Sequence, residues 1–249
     1  MVTVALTIAG VDSGGGAGVT ADLKTFEAHG VWGACAVVAV TAQNTLGVQA
    51  VESVSPAMVR AQILAVAADI GVRAVKTGML ASAAHVAAVA DALEEIGRPL
   101  LVVDPVLVST SGTPLLDDVT VLRERLLPLA TVVTPNRAEA LALTGADDPE
   151  AAARALGVPV VMVTGSETAR DLVWDGQARW LEAPPLDVVH THGTGCVLSA
   201  AITAELARGM DPVDACIAAK AFVTGAIAAG IALGGGVGPV DPGWRGRER

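Results

Sequence analysis

Val4-Ala-Leu-Thr-Ile-Ala9 runs into Gly10-Val-Asp-Ser-Gly-Gly-Gly-Ala-Gly18, then Ala21-Asp-Leu-Lys-Thr-Phe-Glu-Ala-His29, then Ala34-Cys-Ala-Val-Val-Ala-Val40. An apolar run of strand length, a glycine-rich turn, a helical stretch and a second apolar run make one β-α-β unit. Such a unit implies a parallel sheet with covered faces. Reading outward, further strands are expected at Ala74–Thr77, Leu100–Asp104, Thr131–Thr134 and Val158–Val163. Helices are expected at Pro56–Ile70, Ser82–Ile96, Asp117–Leu127 and Arg137–Thr144, several opening on Ser, Pro or Asp as helix starts do. The fold class is α/β, with a mostly parallel central sheet flanked by helices.

One stretch breaks the alternation. Asp171–Trp174 and Gln177–Leu181 flank Asp175-Gly176, a two-residue turn that predicts a short antiparallel hairpin. Two helices, Cys196–Arg208 and Pro212–Ile231, then close a single domain spanning 1–244, with 245–249 as a basic, solvated tail. Half of the 249 residues (52%) are hydrophobic, enough for a sizeable core without disulfides. A net charge of −10 offers no footprint for a phosphate backbone or an anionic membrane. Cys35, Cys196 and Cys216 lack C-x-x-C spacing, which points to a reducing cytoplasm rather than a disulfide framework. Val2–Ala9 reads as a first strand, not a signal peptide, and the uncharged run 221–240 as a glycine-interrupted helix followed by a loop.

Ligands of open α/β sheets bind beyond the carboxyl ends of the strands, and there the loops are distinctive. Gly10–Gly18 serves either as a structural turn or as a close approach of backbone to a ligand. Asp22 either favours the helix N-terminus by its charge or contacts a polar substrate. In Thr41-Ala-Gln-Asn-Thr45 an amide side chain offers a donor and an acceptor, the pair needed to read the edge of a nitrogen heterocycle. Lys76-Thr-Gly-Met79 follows the third strand. Asp104-Pro-Val-Leu follows the fourth, with Ser109–Gly112 beyond it; Asp104 either orients a water on Mg²⁺ or caps its loop. Asn136 and Glu139, three apart at a helix start, suit a hydrated Mg²⁺ beside phosphates and equally a capping box.

Thr191-His-Gly-Thr-Gly-Cys196 immediately precedes a long apolar helix. N–H groups from Gly193, Thr194, Gly195 and Cys196 at a helix N-terminus form a hole for a phosphoryl anion. The same field is expected to lower the thiol pKa of Cys196 and fit it to accept a proton. His190 and His192 lack a third ligand and do not read as a metal site.

Together these loops resemble the hydroxymethylpyrimidine kinase/phosphomethylpyrimidine kinase family of thiamine biosynthesis, which has the ribokinase-like fold. The resemblance runs from Leu6-Thr-Ile-Ala-Gly10 to Gly236-Val-Gly-Pro239. It is most specific in Gly14–Gly18 with Ala21–Phe26, Thr41–Thr45, Asp104-Pro-Val106, Thr134-Pro-Asn136 with Glu139, and His192–Ala200. It implies transfer of the ATP γ-phosphoryl group to 4-amino-5-hydroxymethyl-2-methylpyrimidine and then to its monophosphate. Gln43 would read the pyrimidine, with Gly10, Asp22, Thr41, Met79 and Val106 lining its pocket. Cys196 would be the base, with Gly193, Thr194 and Gly195 as the anion hole. Asn136, Glu139 and Thr164 would face ATP, and Asp104 and Glu139 the Mg²⁺. The family also suggests a homodimer.

The chain departs from that pattern where the family has Lys-Gly-Gly-His. Here Thr164-Gly-Ser-Glu167 leaves a cationic contact to ATP missing, with Lys220 a candidate to compensate. His190 stands where Asn or Asp is usual, and Val11 where Ser is common. Two competing readings are a pyridoxal kinase of the same fold and a catalytically silent pyrimidine-binding protein.

Overall fold

The structure, a computed structural model, describes residues 2–108, 116, 118–165, 170–184 and 186–247. The loop at Ser109–Gly112 and the pair Ser166-Glu167 lie outside the described residues. The order is β1 (Val4–Val11), α1 (Gly18–Ala28), β2 (Trp32–Asn44), β3 (Gly47–Ser53), α2 (Pro56–Asp69), β4 (Ala74–Thr77), α3 (Ala83–Glu95) and β5 (Leu100–Val103). There follow α4 (Val119–Val121), β6 (Val132–Val133), α5 (Arg137–Thr144), α6 (Pro149–Leu156), β7 (Val160–Val163), β8 (Arg170–Trp174), β9 (Ala178–Glu182), α7 (Thr194–Ala207) and α8 (Pro212–Ala228). Among the described residues these strands form one sheet, ordered β3-β2-β1-β4-β5-β6-β7-β8-β9. Pairing is parallel from β2 to β7 and antiparallel for β3, β8 and β9.

Strand periodicity sorts the core into two layers. Leu6, Ile8, Val75, Leu101, Val103, Val133 and Val161 face α2, α3, α5 and α6. Their alternates Ala5, Ala74, Val102, Val132, Val160 and Met162 face α1, α7 and α8. This second layer is built largely of Ala and Val, so α7 lies close on the sheet, and eleven consecutive α7 residues from Val197 to Ala207 are buried.

The expected hairpin is present, with Gly176 supplying φ +100 at its turn. Three elements differ from expectation. β2 runs beyond Val40 to Asn44 and pairs with β3, whose largely exposed residues carry no apolar alternation to betray it. The helix expected over Asp117–Leu127 is instead a turn of α4, a π segment Leu122–Leu126 and a 3₁₀ turn Leu127–Leu129. Pro128 has no N–H to continue an α-helical ladder. α6 was unanticipated; Asp148 caps it and Pro149 occupies its first turn. α8 stops at Ala228, and no helix among the described residues is long and apolar enough to cross a membrane. In the basic tail, Arg245 stacks over Phe222 and Trp244, and Arg247 pairs with Asp241 at 3.1 Å.

Candidate active site

The carboxyl ends of β1, β2 and β4 to β7 open into a cleft of about 300 Å³, closed on one side by Thr191–Cys196 and the start of α7. The acceptor-side residues Gly10, Thr41, Gln43, Met79 and Val106 line it, and so do Asp104, Asn136, Glu139 and Thr164 from the other strands. Gly193, Thr194, Gly195 and Cys196 complete the wall.

Asp22 is the exception, and its expected place in the pocket is corrected. Its side chain is fully buried beneath the cleft, accepting from Lys76 Nζ at 2.6 Å and from Thr7 Oγ1 at 2.6 Å. The periodicity of β1 and β4 turns Thr7 and Lys76 to the α1 face, where Asp22 meets them. It is Lys76 that lines the cleft. Lys76 Nζ also lies 3.9 Å from Asp104 Oδ2, which accepts from Ser199 Oγ at 2.9 Å. Burial alone would favour a neutral Lys76, but Asp22, Cys196 and Asp104 outweigh it and hold the ammonium above its ordinary pKa.

Two register shifts lie at the acceptor end. One shifts the β1–β2 register at Ala9/Gly10, the other the β2–β3 register at Ala42/Gln43. The Thr41 hydroxyl lies 2.9 Å from Val11 O and 3.1 Å from Gln43 Oε1, and its one proton serves either acceptor. Gln43 N accepts nothing and donates to Ser13 Oγ at 2.8 Å, tying this end to the glycine-rich loop.

That loop is organised by a residue the sequence reading passed over. Asp12 accepts from Gly14 N at 2.7 Å, Gly16 N at 3.1 Å and Ala17 N at 3.0 Å, and its Oδ2 lies 2.9 Å from His192 Nε2. Burial would raise the Asp12 pKa, but His192 and the loop N–H groups outweigh it and hold the carboxyl below its usual value. The Asp-Ser-Gly order at 12–14 was the available signal, since Asp side chains bond the backbone two residues on. His192 thereby joins the two loops. His190 has a structural role, accepting from Gly238 N at 3.1 Å.

Gly193 caps α7 at φ +83, and a Cβ there would stand 1.9 Å from Gly16 O. Only glycine allows the two loops to meet this closely. Cys196 is the third residue of α7, and its Sγ accepts from Gly18 N at 3.4 Å. The expected depression of its pKa is corrected: the thiol is pushed up to about 11. Burial is the largest cause, and Asp22 and Asp104 add to it, while Lys76 and the Gly18 N–H oppose. Local carboxylates and desolvation outweigh the helix field, so Cys196 rests as a thiol.

Asn136 and Glu139 form the capping box of α5, with Glu139 N donating to Asn136 Oδ1 and Asn136 N to Glu139 Oε2, both at 2.9 Å. Burial, with Asp104 facing it, pushes the Glu139 carboxyl up to about 8. Among the described residues no group of three or more His, Cys, Asp or Glu side chains could hold a metal. A Mg²⁺ ion needs fewer, since it keeps several waters and takes one or two carboxylates. Thr134 Oγ1, at the end of β6 and lining the cleft, is buried with no hydrogen-bond partner. An unmet hydroxyl among the hard oxygen donors Asp104 and Glu139 fits a hydrated divalent cation.

Residues 12–241 match the family model described as phosphomethylpyrimidine kinase. The chain belongs to the phosphomethylpyrimidine kinase family. Relatives include a hydroxymethylpyrimidine/phosphomethylpyrimidine kinase of Streptomyces coelicolor, 50% identical over 96% of this chain and 94% of the relative. Another, of the same name, from Rhizobium meliloti is 49% identical over 96% of this chain and 97% of its own length. Among solved structures, an ADP complex of Bacillus subtilis pyridoxal kinase superposes with TM-score 0.92 at 39% identity, covering 100% of both chains. The kinase family, the transferase chemistry and the ribokinase-like fold expected from the motifs therefore stand. Of the departures noted in the sequence, Thr164 lies on the cleft wall, and Lys220 lies off it, paired with Asp171.

Proposed function

We propose that this kinase transfers the γ-phosphoryl group of ATP to the hydroxymethyl oxygen of 4-amino-5-hydroxymethyl-2-methylpyrimidine, and then to the resulting monophosphate. One observation carries the reading. α7 packs over β1, β4 and β5, and its first turn with Cys196 lines the cleft that also takes in Gln43 from the β2 end and Asn136, Glu139 and Thr164 from the β6–β7 end. A heterocycle read by Gln43 and a nucleotide held near Asn136 would bring acceptor oxygen and γ-phosphorus together in front of the α7 N–H groups. Such transfer depends on positioning and on neutralising the equatorial oxygens.

Asp104 and Glu139 would hold Mg²⁺, with Thr134 beside them on the cleft wall, and the ion would neutralise charge on the transferring group. Gly195 and Cys196 occupy the first turn of α7, where backbone N–H groups have no partner within the helix and can stabilise that group. As the acceptor oxygen bonds to phosphorus and the bond to the ADP oxygen breaks, the hydroxyl proton passes to Cys196 Sγ in its thiolate form. Lys76 is the counter-charge that makes that form accessible. Purified protein with Mg-ATP and the hydroxymethylpyrimidine is expected to yield mono- and then diphosphate, resolved by anion-exchange chromatography. Absence of both products, with the pyrimidine bound, would establish the silent binder.

The likeness to pyridoxal kinase keeps pyridoxal as the second acceptor to compare. Its phosphorylation at a kcat/KM equal to or above that for the pyrimidine would reverse the preference. A homodimer is proposed with this reading, and light scattering of the purified protein tests it.

A further inference from the structure

β7 delivers Thr164 to the cleft wall, with Gly165 next to it. Thr164 N donates to Pro135 O at 2.9 Å, and Thr164 forms a parallel bridge with Asn136, so the end of β7 and the start of α5 share one wall. Gly165 N donates to Asp171 Oδ1 on β8 at 2.9 Å. The other oxygen, Asp171 Oδ2, lies 2.7 Å from Lys220 Nζ on α8. Asp171 is 4% exposed and the Lys220 side chain 16%, and neither lines the cleft.

Desolvating two charges offsets most of what their attraction returns, and apolar residues of similar size usually serve stability as well. What this pair does do is geometric. It ties a backbone N–H at the end of β7 to a helix on the far side of the sheet. Around Lys220, α8 is buried through Cys216, Ala219, Phe222 and Val223, which fixes the helix against the sheet.

We infer that Asp171 and Lys220 are positioning residues for the phosphate-donor end of the cleft, holding Thr164 and Gly165 beside Asn136 so that nucleotide affinity depends on a pair the nucleotide does not touch. The inference rests on the reading above that the Asn136, Glu139 and Thr164 end takes the nucleotide. Among the described residues the acceptor end, built from β1, β2 and β4, shares no hydrogen bond with this pair, so pyrimidine affinity should be indifferent to it.

The test is calorimetry on the full chain, titrating ADP and, separately, the hydroxymethylpyrimidine into wild type, Lys220→Met, Lys220→Arg and Asp171→Asn. ADP affinity is expected to fall about tenfold in Lys220→Met and by several-fold in Asp171→Asn, which keeps an acceptor for Gly165 N. Lys220→Arg, which keeps the charge, is expected to restore it to within about threefold, and pyrimidine affinity to stay within about twofold throughout. Unchanged ADP affinity in Lys220→Met, or equal weakening of both ligands, overturns the inference. Should Lys220→Met fail to fold, Asp171→Asn against Lys220→Arg decides by the same two readouts. Wild-type protein that binds pyrimidine but not ADP would overturn the nucleotide reading itself, an outcome distinct from the first.

Discussion

Lys76 Nζ lies 2.6 Å from Asp22 Oδ1 with both side chains fully buried, and Lys76 lines the same cleft as Cys196. Removing one member strands the other's charge in the core. Lys76→Met and Asp22→Asn should each destabilise the fold, the former by about 3–5 kcal/mol. The double variant should recover a large part of that loss. Urea unfolding of the four proteins measures the coupling; strictly additive losses would show that the pair does not act as a unit.

The same pair acts on Cys196. With the thiol pushed up to about 11, thiolate is scarce at neutral pH. Carboxamidomethylation of Cys196, followed by peptide mass, should therefore quicken about tenfold per pH unit from 7 to 10. Asp22→Asn removes a charge that raises the thiol pKa and should shift the profile to lower pH; Lys76→Met should shift it higher. A wild-type inflection below pH 9 would contradict this electrostatic account.

Asp12 gives a pH effect of opposite sense. Its folded pKa is depressed, so its ionised form contributes stability that is fully present above the unfolded value of about 3.9 and is lost as pH falls through the folded value. Asp12→Asn should lower stability at pH 7 by about 1–3 kcal/mol and flatten the acid limb of the stability profile. Thermal melts at pH 7, 4 and 3 check it. An acid limb as steep as in wild type would assign the loss to other carboxylates.

These residues also mark how far the sequence could be read. The β-α-β alternation and the strand-end loops located the cleft, because period-2 burial and glycine-rich loops are local properties of the chain. Gln43, Cys196, Asn136 and Glu139 all reach it. Asp22 could not be placed: a helix-start carboxylate has the same local signature whether it faces the cleft or a buried ammonium 54 residues away. Nor could the pKa of Cys196 be read, since the helix field is local while Asp104 and Lys76 arrive from other strands. β3 escaped because an exposed edge strand buries too little to leave a pattern.

Gly193→Ala probes the seam between the two loops. The added methyl meets Gly16 O, and φ +83 is strained for any side chain. A destabilisation of about 1–3 kcal/mol is expected. Because the clash parts the loops that carry Asp12 and the α7 N-terminus, kcat should fall more than KM for either substrate rises. A kcat within twofold of wild type would show that the α7 N–H groups do not need this contact.

The two acceptors differ in what they ask of Cys196. A hydroxymethyl group must lose a proton as its oxygen bonds to phosphorus. A phosphate monoester, with its second pKa near 6, is already largely an anion at neutral pH and needs no base. Cys196→Ala should therefore lower the first transfer by about 10²–10⁴ in kcat and the second by far less, with KM for ATP little changed in either. Separate initial rates with the alcohol and with its monophosphate measure the contrast. Equal losses would mean that Cys196 acts by shaping the α7 turn instead of by taking the proton.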